Sequence, residues 1–161
     1  MISDDPTERF RAYVESHLRI EHPTLGELYL EPDASGRVRG DFPFDPSLTI
    51  HVITAHNPGR KLSNADNATR HAKLRAQLAA TPDLTVWRAA GGDPAWTHSE
   101  ESFAVVGLSD AEARALGTEF EQEAVFAWRA TSLDVLACVT GDSLRSGWRL
   151  RRTMGTVEPR R

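Results

Sequence analysis

The sequence predicts an α+β fold: a ferredoxin-like (split βαβ) sandwich with one extra strand and an N-terminal helix and strand as decoration. Three observations lead there. The chain has 161 residues, the size of a single domain with one core. From Leu48 onward, apolar patterns of period 2 and period 3.6 follow one another in the order β-α-β-β-α-β-β. Two serines, Ser63 and Ser109, each stand three residues before an acid where a helix would begin.

In chain order, Asp5-Pro6 opens a first helix, because Pro6 suits the first helical position and Glu8 favours the positive end of the dipole. Phe10, Tyr13, Val14 and Leu18 recur at helical spacing, which carries this helix to His17 or Ile20 before His22-Pro23 ends it. Gly26 to Glu31 alternates like an edge strand, and residues 32 to 46 form a Gly/Pro/Asp-rich connection. Leu48 to Ala55 is the strongest strand and is apolar on both faces, which places it centrally in the sheet. Ser63 caps the second helix, Leu74 and Leu78 continue its buried stripe, and Thr81-Pro82 stops it. Leu84 to Ala89 reads as a strand, Gly91 to Ser99 as a loop and Phe103 to Leu108 as the next strand. Ser109 to Glu112 is a full capping box, followed by the stripe Ala113, Leu116 and Phe120. Ala124 to Ala130 and Leu133 to Thr140 are two strands joined at Thr131-Ser132. The reading is one domain over residues 1–143, with its core at 48–140, and a basic tail at 144–161.

Hydrophobic residues make up 40% of the chain and charged residues 26%, with a mean hydropathy of -0.42, the balance of a water-soluble domain. No apolar run approaches the ~18–20 residues of a membrane span. The acidic start MISDDPTERFRAY has no apolar core segment, so no secretory signal is expected and the cytoplasm is the expected compartment. The single cysteine, Cys138, excludes an internal disulfide and any multi-cysteine zinc site, and it lies in an apolar strand as a core residue. From Leu144 to Arg161 six arginines face one acid, Glu158, so a basic end follows an acidic body. Such a tail would contact an acidic partner or its own body. Arginine is this chain's ordinary cation, with only Lys61 and Lys73 as lysines, so neither nucleic acid nor a membrane is expected as partner.

The candidate site is the stretch ITAHNPGRKLSNADN, Ile53 to Asn67. Ligands gather beyond the carboxyl ends of strands where a helix begins. The free N–H groups and positive dipole end of the second helix, with Arg60 and Lys61 alongside, suit a small anion. The Gly-x4-Gly-Lys spacing of a P-loop is missing. Reading back from Leu78 and Leu74, the buried stripe turns polar at Arg70 or His71 and at Asn67. Buried polar groups need partners, so Asn57, Asn67 and Arg70 either tie the strand end to the helix or line a small pocket. In WTHSEESF, adjacent carboxylates of an extended chain point to opposite sides, so only one of Glu100 and Glu101 joins a given site. Ser63 reads as a cap rather than a nucleophile. His51 and His56, five apart on one strand, point to opposite faces, and no metal-ligand spacing such as HExxH occurs, so neither a metal nor a cofactor is expected.

Three segments together, ITAHNPG with the Ser63 and Asn67 that follow it, EESFAVVGL, and FEQEAVFAW, resemble the bacterial family known as the domain of unknown function 3293. The resemblance spans about Leu48 to Val139. Thr54, Asn57, Pro58, Ser63, Asn67, Glu101, Ser102 and Gln122 occupy its motif positions. His56 stands where the family often has tryptophan, which argues against a catalytic role for that side chain. The resemblance implies that these polar positions form one motif set, and it assigns no reaction.

The leading expectation is a small anionic ligand, a nucleotide or a carboxylate, bound at the strand-to-helix junction. Thr54, Asn57, Ser63, Asn67 and Gln122 would orient it, and Arg60 and Arg70 would contact its charge. The alternatives are a hydrolase or transferase with Glu101 as acid/base, and a protein-interaction module in which these groups only order the fold.

Overall fold

The computed structural model describes residues 6–58 and 60–152, with side chains from Phe10 onward. Asp5, in the helix start read from the sequence, and tail residues 153–161, with Arg160 and Arg161, lie outside the described residues. In chain order the elements are α1 (Pro6–Val14), β1 (His17–His22), β2 (Gly26–Asp33), β3 (Val38–Arg39), β4 (Thr49–Thr54), α2 (Asn64–Ala80), β5 (Thr85–Gly92), β6 (Ser99–Val106), α3 (Asp110–Glu119), β7 (Ala124–Arg129), β8 (Ser132–Ala137) and β9 (Ser143–Arg151).

The sheet closes on itself. Neighbouring strands run β2-β1-β5-β6-β4-β7-β8-β9, all antiparallel, and β9 returns to β2 with Tyr29 opposite Arg151 and Asp33 opposite Gly147. The short β3 lies parallel to β9 outside this ring. An eight-stranded closed barrel therefore replaces the expected ferredoxin-like sandwich. The order β5-β6-β4-β7 is the one expected of a split βαβ unit, but that sheet has no open edges and its second face lines a lumen. Closure removes the unpaired edge groups that an open sheet must protect.

Two strands account for the difference. The first helix was expected to run on to His17 or Ile20, because Leu18 falls four residues after Val14. Leu18 and Ile20 instead alternate with Arg19 and Glu21, and the first pair is buried in the barrel. Residues 144–151 were expected in the basic tail. They form most of β9, where Ser146, Trp148 and Leu150 turn inward while Arg145, Arg149 and Arg151 alternate with them. The N-terminal helix and strand are accordingly part of the barrel and not decoration.

The lumen is filled. Leu18, Ile20, Leu28, Leu30, Ile50, Val52, Trp128, Val135 and Trp148 pack together there, as an eight-stranded barrel is just wide enough to hold its own side chains. α1 covers one end, with Tyr13 on Phe126 at 5.7 Å between ring centroids. Phe42 and Phe44 cover the other, against Trp128 and Trp87. Outside, Ile53, Phe103, Val105, Val125 and Leu136 are buried under Leu74 and Leu78 of α2, Ala113 and Leu116 of α3, and Phe120 at the C-terminal cap of α3. β4 is apolar on both faces because one faces the lumen and the other the helices. Ser63 and Ser109 cap α2 and α3 as their spacing predicts, Ser109 within a complete capping box.

Candidate functional site

The carboxyl end of β4, the start of α2, the start of β6 and the α3–β7 turn meet at the rim that α1 covers. The chain leaves β4 through Ala55 and His56 and turns at Asn57, whose φ of 44° is left-handed, a conformation asparagine tolerates better than most residues. That turn brings Asn57 onto Asn67. The Asn57 backbone N–H donates to Asn67 Oδ1, and the Asn67 amide donates to Asn57 Oδ1, both at 2.9 Å. Leu62 N–H donates to the same Asn57 Oδ1 at 2.9 Å. The remaining amide of Asn57 donates to Glu100 Oε2 at 2.8 Å.

The other motif side chains brace the same loop. Thr54 Oγ1 donates to the Glu101 carbonyl at 2.8 Å and accepts from His56 N–H at 3.0 Å. Arg70 donates through Nε to the Ala55 carbonyl at 2.7 Å, through Nη2 to the Phe120 carbonyl and through Nη1 to Glu121. Gln122 donates to the His56 carbonyl at 2.9 Å. Ser63 Oγ accepts from Asp66 N–H at 3.1 Å. Arg60 is exposed. Thr54, Asn57, Asn67, Arg70 and Gln122 are thus brought into one bracing network by their bonds, Ser63 caps α2 apart from it, and the guanidinium of Arg70 is spent on two carbonyls and Glu121.

The two glutamates divide as their alternation requires. Glu100 shares the inward side of β6 with Ser102 and Ala104, where burial pushes its carboxyl above the ordinary value and the Asn57 amide partly offsets this. It, and not Glu101, is the carboxylate bonded to the asparagine pair. Tyr13 of α1 lies in its field, and burial pushes that phenol up. Among the described residues, Glu100 is the group a reading of sequence alone passed over. The signal was inward parity with Ala104, which two apolar faces on β6 conceal.

Glu101 points outward with Phe103. His71 stacks on Phe103 at 4.4 Å and 11°, and His56 meets His71 edge-on at 5.7 Å. The Arg75 guanidinium lies 5.7 Å from the Phe103 centroid. Burial, then the neighbouring His71, holds His56 below the ordinary histidine value; Arg70 adds to this and Glu101 opposes it. Burial, then Arg75, does the same to His71, with Arg88 adding and Glu101 opposing. Among the described residues, no group of three or more His, Cys, Asp or Glu is placed to hold a metal ion.

A second polar network lies on the outer face away from this rim. His51 Nε2–H donates to Asp110 Oδ1 at 2.8 Å, and Arg129 bridges Asp110 and Asp134, each at 2.9 Å. Arg145 adds two bonds to Asp134. His51 and Asp134 are almost fully buried, and the network pins α3 to β4, β7 and β8.

The molecule is therefore a closed antiparallel β-barrel with two outer helices and a braced polar rim. Residues 53–125 match the sequence model of the family described as Protein of unknown function (DUF3293), the family that the motifs resemble. No curated protein and no solved structure matches the chain. No helix among the described residues is long and apolar enough to cross a membrane.

Proposed function

We propose that this protein binds a small anionic ligand on the outer side of the rim, over the cluster of His56, His71 and Arg75 around Phe103. The observation that carries this reading is the cluster's charge. Its cations and imidazoles stand close enough that Arg70, Arg75 and Arg88 help keep both histidines neutral, and Glu101 is the carboxylate that opposes them. A site held positive and partly desolvated favours an anion. In this reading Thr54, Asn57, Asn67, Arg70 and Gln122 hold the loop in place, Ser63 caps α2, and Arg60 is exposed to solvent.

A thermal-shift screen with inorganic phosphate, phosphate esters and small carboxylates tests it. Binding to the folded state raises the melting temperature by mass action. Arg75→Ala should abolish the shift while leaving the unliganded melting temperature nearly unchanged, and His71→Ala, which also loses the stack on Phe103, should abolish it from a lower unliganded melting temperature. The reading fails if no anion gives a shift, or if both variants respond like the native protein.

A second reading makes Glu101 the acid/base of a hydrolase or transferase, and the observation favouring it is the pair of neutral histidines in its field. Glu101→Gln would then eliminate turnover of a bound phosphate ester while leaving its affinity within about threefold of the native value, a change below one tenfold step in binding.

A further inference from the structure

Beside the anionic site, the β5–β6 hairpin presents an aromatic ring with unusual care. Trp96 adopts a left-handed φ of 56°, a conformation that strains a bulky residue and that clusters at functional positions. The hairpin loop holds it there: Trp96 N–H donates to the Asp93 carbonyl at 2.9 Å, and the Asp93 carboxylate accepts from His98 N–H and Thr97 Oγ1. Its indole lies over Gly92, where a Cβ would stand 2.5 Å from Cε3, so no larger residue fits beneath it. Arg19 approaches the ring at 5.8 Å and Tyr29 meets it edge-on at 6.1 Å. Arg19 Nε is buried without a hydrogen-bond partner among the described residues. The indole itself stays half-buried on a side of the barrel that neither outer helix covers.

The register fixes what lies next to it. Outward positions of β5 run Gly92, Ala90 and Arg88, and their partners on β6 are Ser99, Glu101 and Phe103. At about 3.4 Å per residue, Glu101 is level with a point roughly 7 Å along the strand from Gly92, and Arg88 with a point roughly 14 Å along. An indole, a carboxylate and a cationic cluster therefore follow one another along one face. Glu21 approaches Arg88 at 4.0 Å at the far end.

We propose, resting on the anion-binding reading above, that the ligand class is a nucleoside phosphate, with its base on Trp96, a ribose hydroxyl on Glu101, and its phosphate at His71, Arg75 and Arg88. The order of groups along the strand matches the order of parts in such a molecule. A planar base gains from an indole face whatever its identity. A carboxylate accepts from sugar hydroxyls, as in dinucleotide sites. Guanidinium groups suit phosphate oxygens.

Calorimetric titration of the full chain with adenosine 5′-monophosphate, ribose 5-phosphate and inorganic phosphate tests the assignment. The nucleotide should bind about tenfold or more tightly than ribose 5-phosphate, the gain that a base–aromatic stack gives. Trp96→Ala should erase that difference and leave ribose 5-phosphate binding unchanged, Trp96→Phe should keep most of it, and Arg75→Ala should weaken both sugar phosphates together. Circular dichroism of the Trp96 variants establishes that each is folded. Equal affinity for the nucleotide and ribose 5-phosphate, unaltered by Trp96→Ala, overturns the stacking assignment and leaves the anionic site standing. No binding by any of the three probes overturns both.

Discussion

Asn57 and Asn67 complete each other's hydrogen bonding across the β4–α2 junction. The Asn57 N–H and the Asn67 amide each donate to the other residue's Oδ1 at 2.9 Å. Asn67 is buried on α2, so truncating it leaves a part-buried N–H and a part-buried amide oxygen short of a partner. Asn67→Ala should therefore destabilise the fold by about 1–3 kcal/mol. Asn57 separates two effects. Its positive φ favours glycine over alanine, so Asn57→Gly loses the side-chain bonds alone, whereas Asn57→Ala adds backbone strain of order 1 kcal/mol. Urea unfolding should rank stability as native, then Asn57→Gly, then Asn57→Ala. An alanine variant as stable as the glycine variant contradicts the strain argument.

Glu100 sets a pH dependence whose sign follows from its environment. Burial raises its pKa in the folded protein above the ordinary 4.5, so the folded state holds its proton more tightly than the unfolded chain does. The stability this gives is fully present below the unfolded value and is lost as pH rises through the folded one. Glu100→Gln keeps an acceptor for the Asn57 amide and removes the charge. The variant should match the native protein in acid and exceed it in stability at neutral pH. Chemical denaturation at both ends of that window checks it, and a variant less stable at neutral pH means the charged Asn57 contact outweighs desolvation.

The parts of this fold that were legible in the sequence are those decided by neighbours in the chain. Ser63 and Ser109 cap the helices that their spacing predicts, and the doubly apolar Leu48 to Ala55 marks the strand between lumen and helices. Closure was hidden because it depends on β2 meeting β9, where Leu30 pairs with Leu150 across most of the chain. Arginine at positions 145, 149 and 151 of β9 disguised a strand as a charged tail. Leu18 satisfied a helical period as well as the strand's own alternation, so β1 was read as the end of α1. At the rim, the polar break in the α2 stripe at Asn67 did locate a real contact. The choice between Glu100 and Glu101 needs the parity of β6, and Phe103, Ala104 and Val105 in succession leave that parity open until the lumen is known.

His56 and His71 give the anionic site its own pH signature. Both are held below the ordinary 6.5 by burial and by cationic neighbours, so the empty site is uncharged at these rings near neutrality. A bound phosphate opposes that shift and raises both values. Binding should then take up protons, and affinity should increase as pH falls through the ordinary histidine range toward the lowered values. Calorimetry with phosphate in buffers of different ionisation enthalpy reads the uptake directly. His56→Asn should reduce it and His71→Asn should reduce it too, and zero uptake in the native protein would remove both rings from the site.

Gly117 tests how tightly α3 sits on the barrel. A Cβ at this position would lie 2.5 Å from Cys138 Sγ and 2.8 Å from Val125 Cγ1, so the helix approaches β7 and β8 closely only because a glycine is there. Burial also pushes the Cys138 thiol up to about 11, which makes it an inert packing group and not a reactive one. Gly117→Ala gains helix propensity of under about 1 kcal/mol but overpacks the core, at a cost of roughly 1–3 kcal/mol. The net expectation is destabilisation. Cys138→Ala removes the sulfur that the new methyl would meet, so adding it to Gly117→Ala should recover part of the loss, with Val125 accounting for the remainder. A double-mutant cycle by thermal unfolding measures the coupling, and strictly additive effects would show that α3 shifts outward to admit the methyl instead of pressing on Cys138.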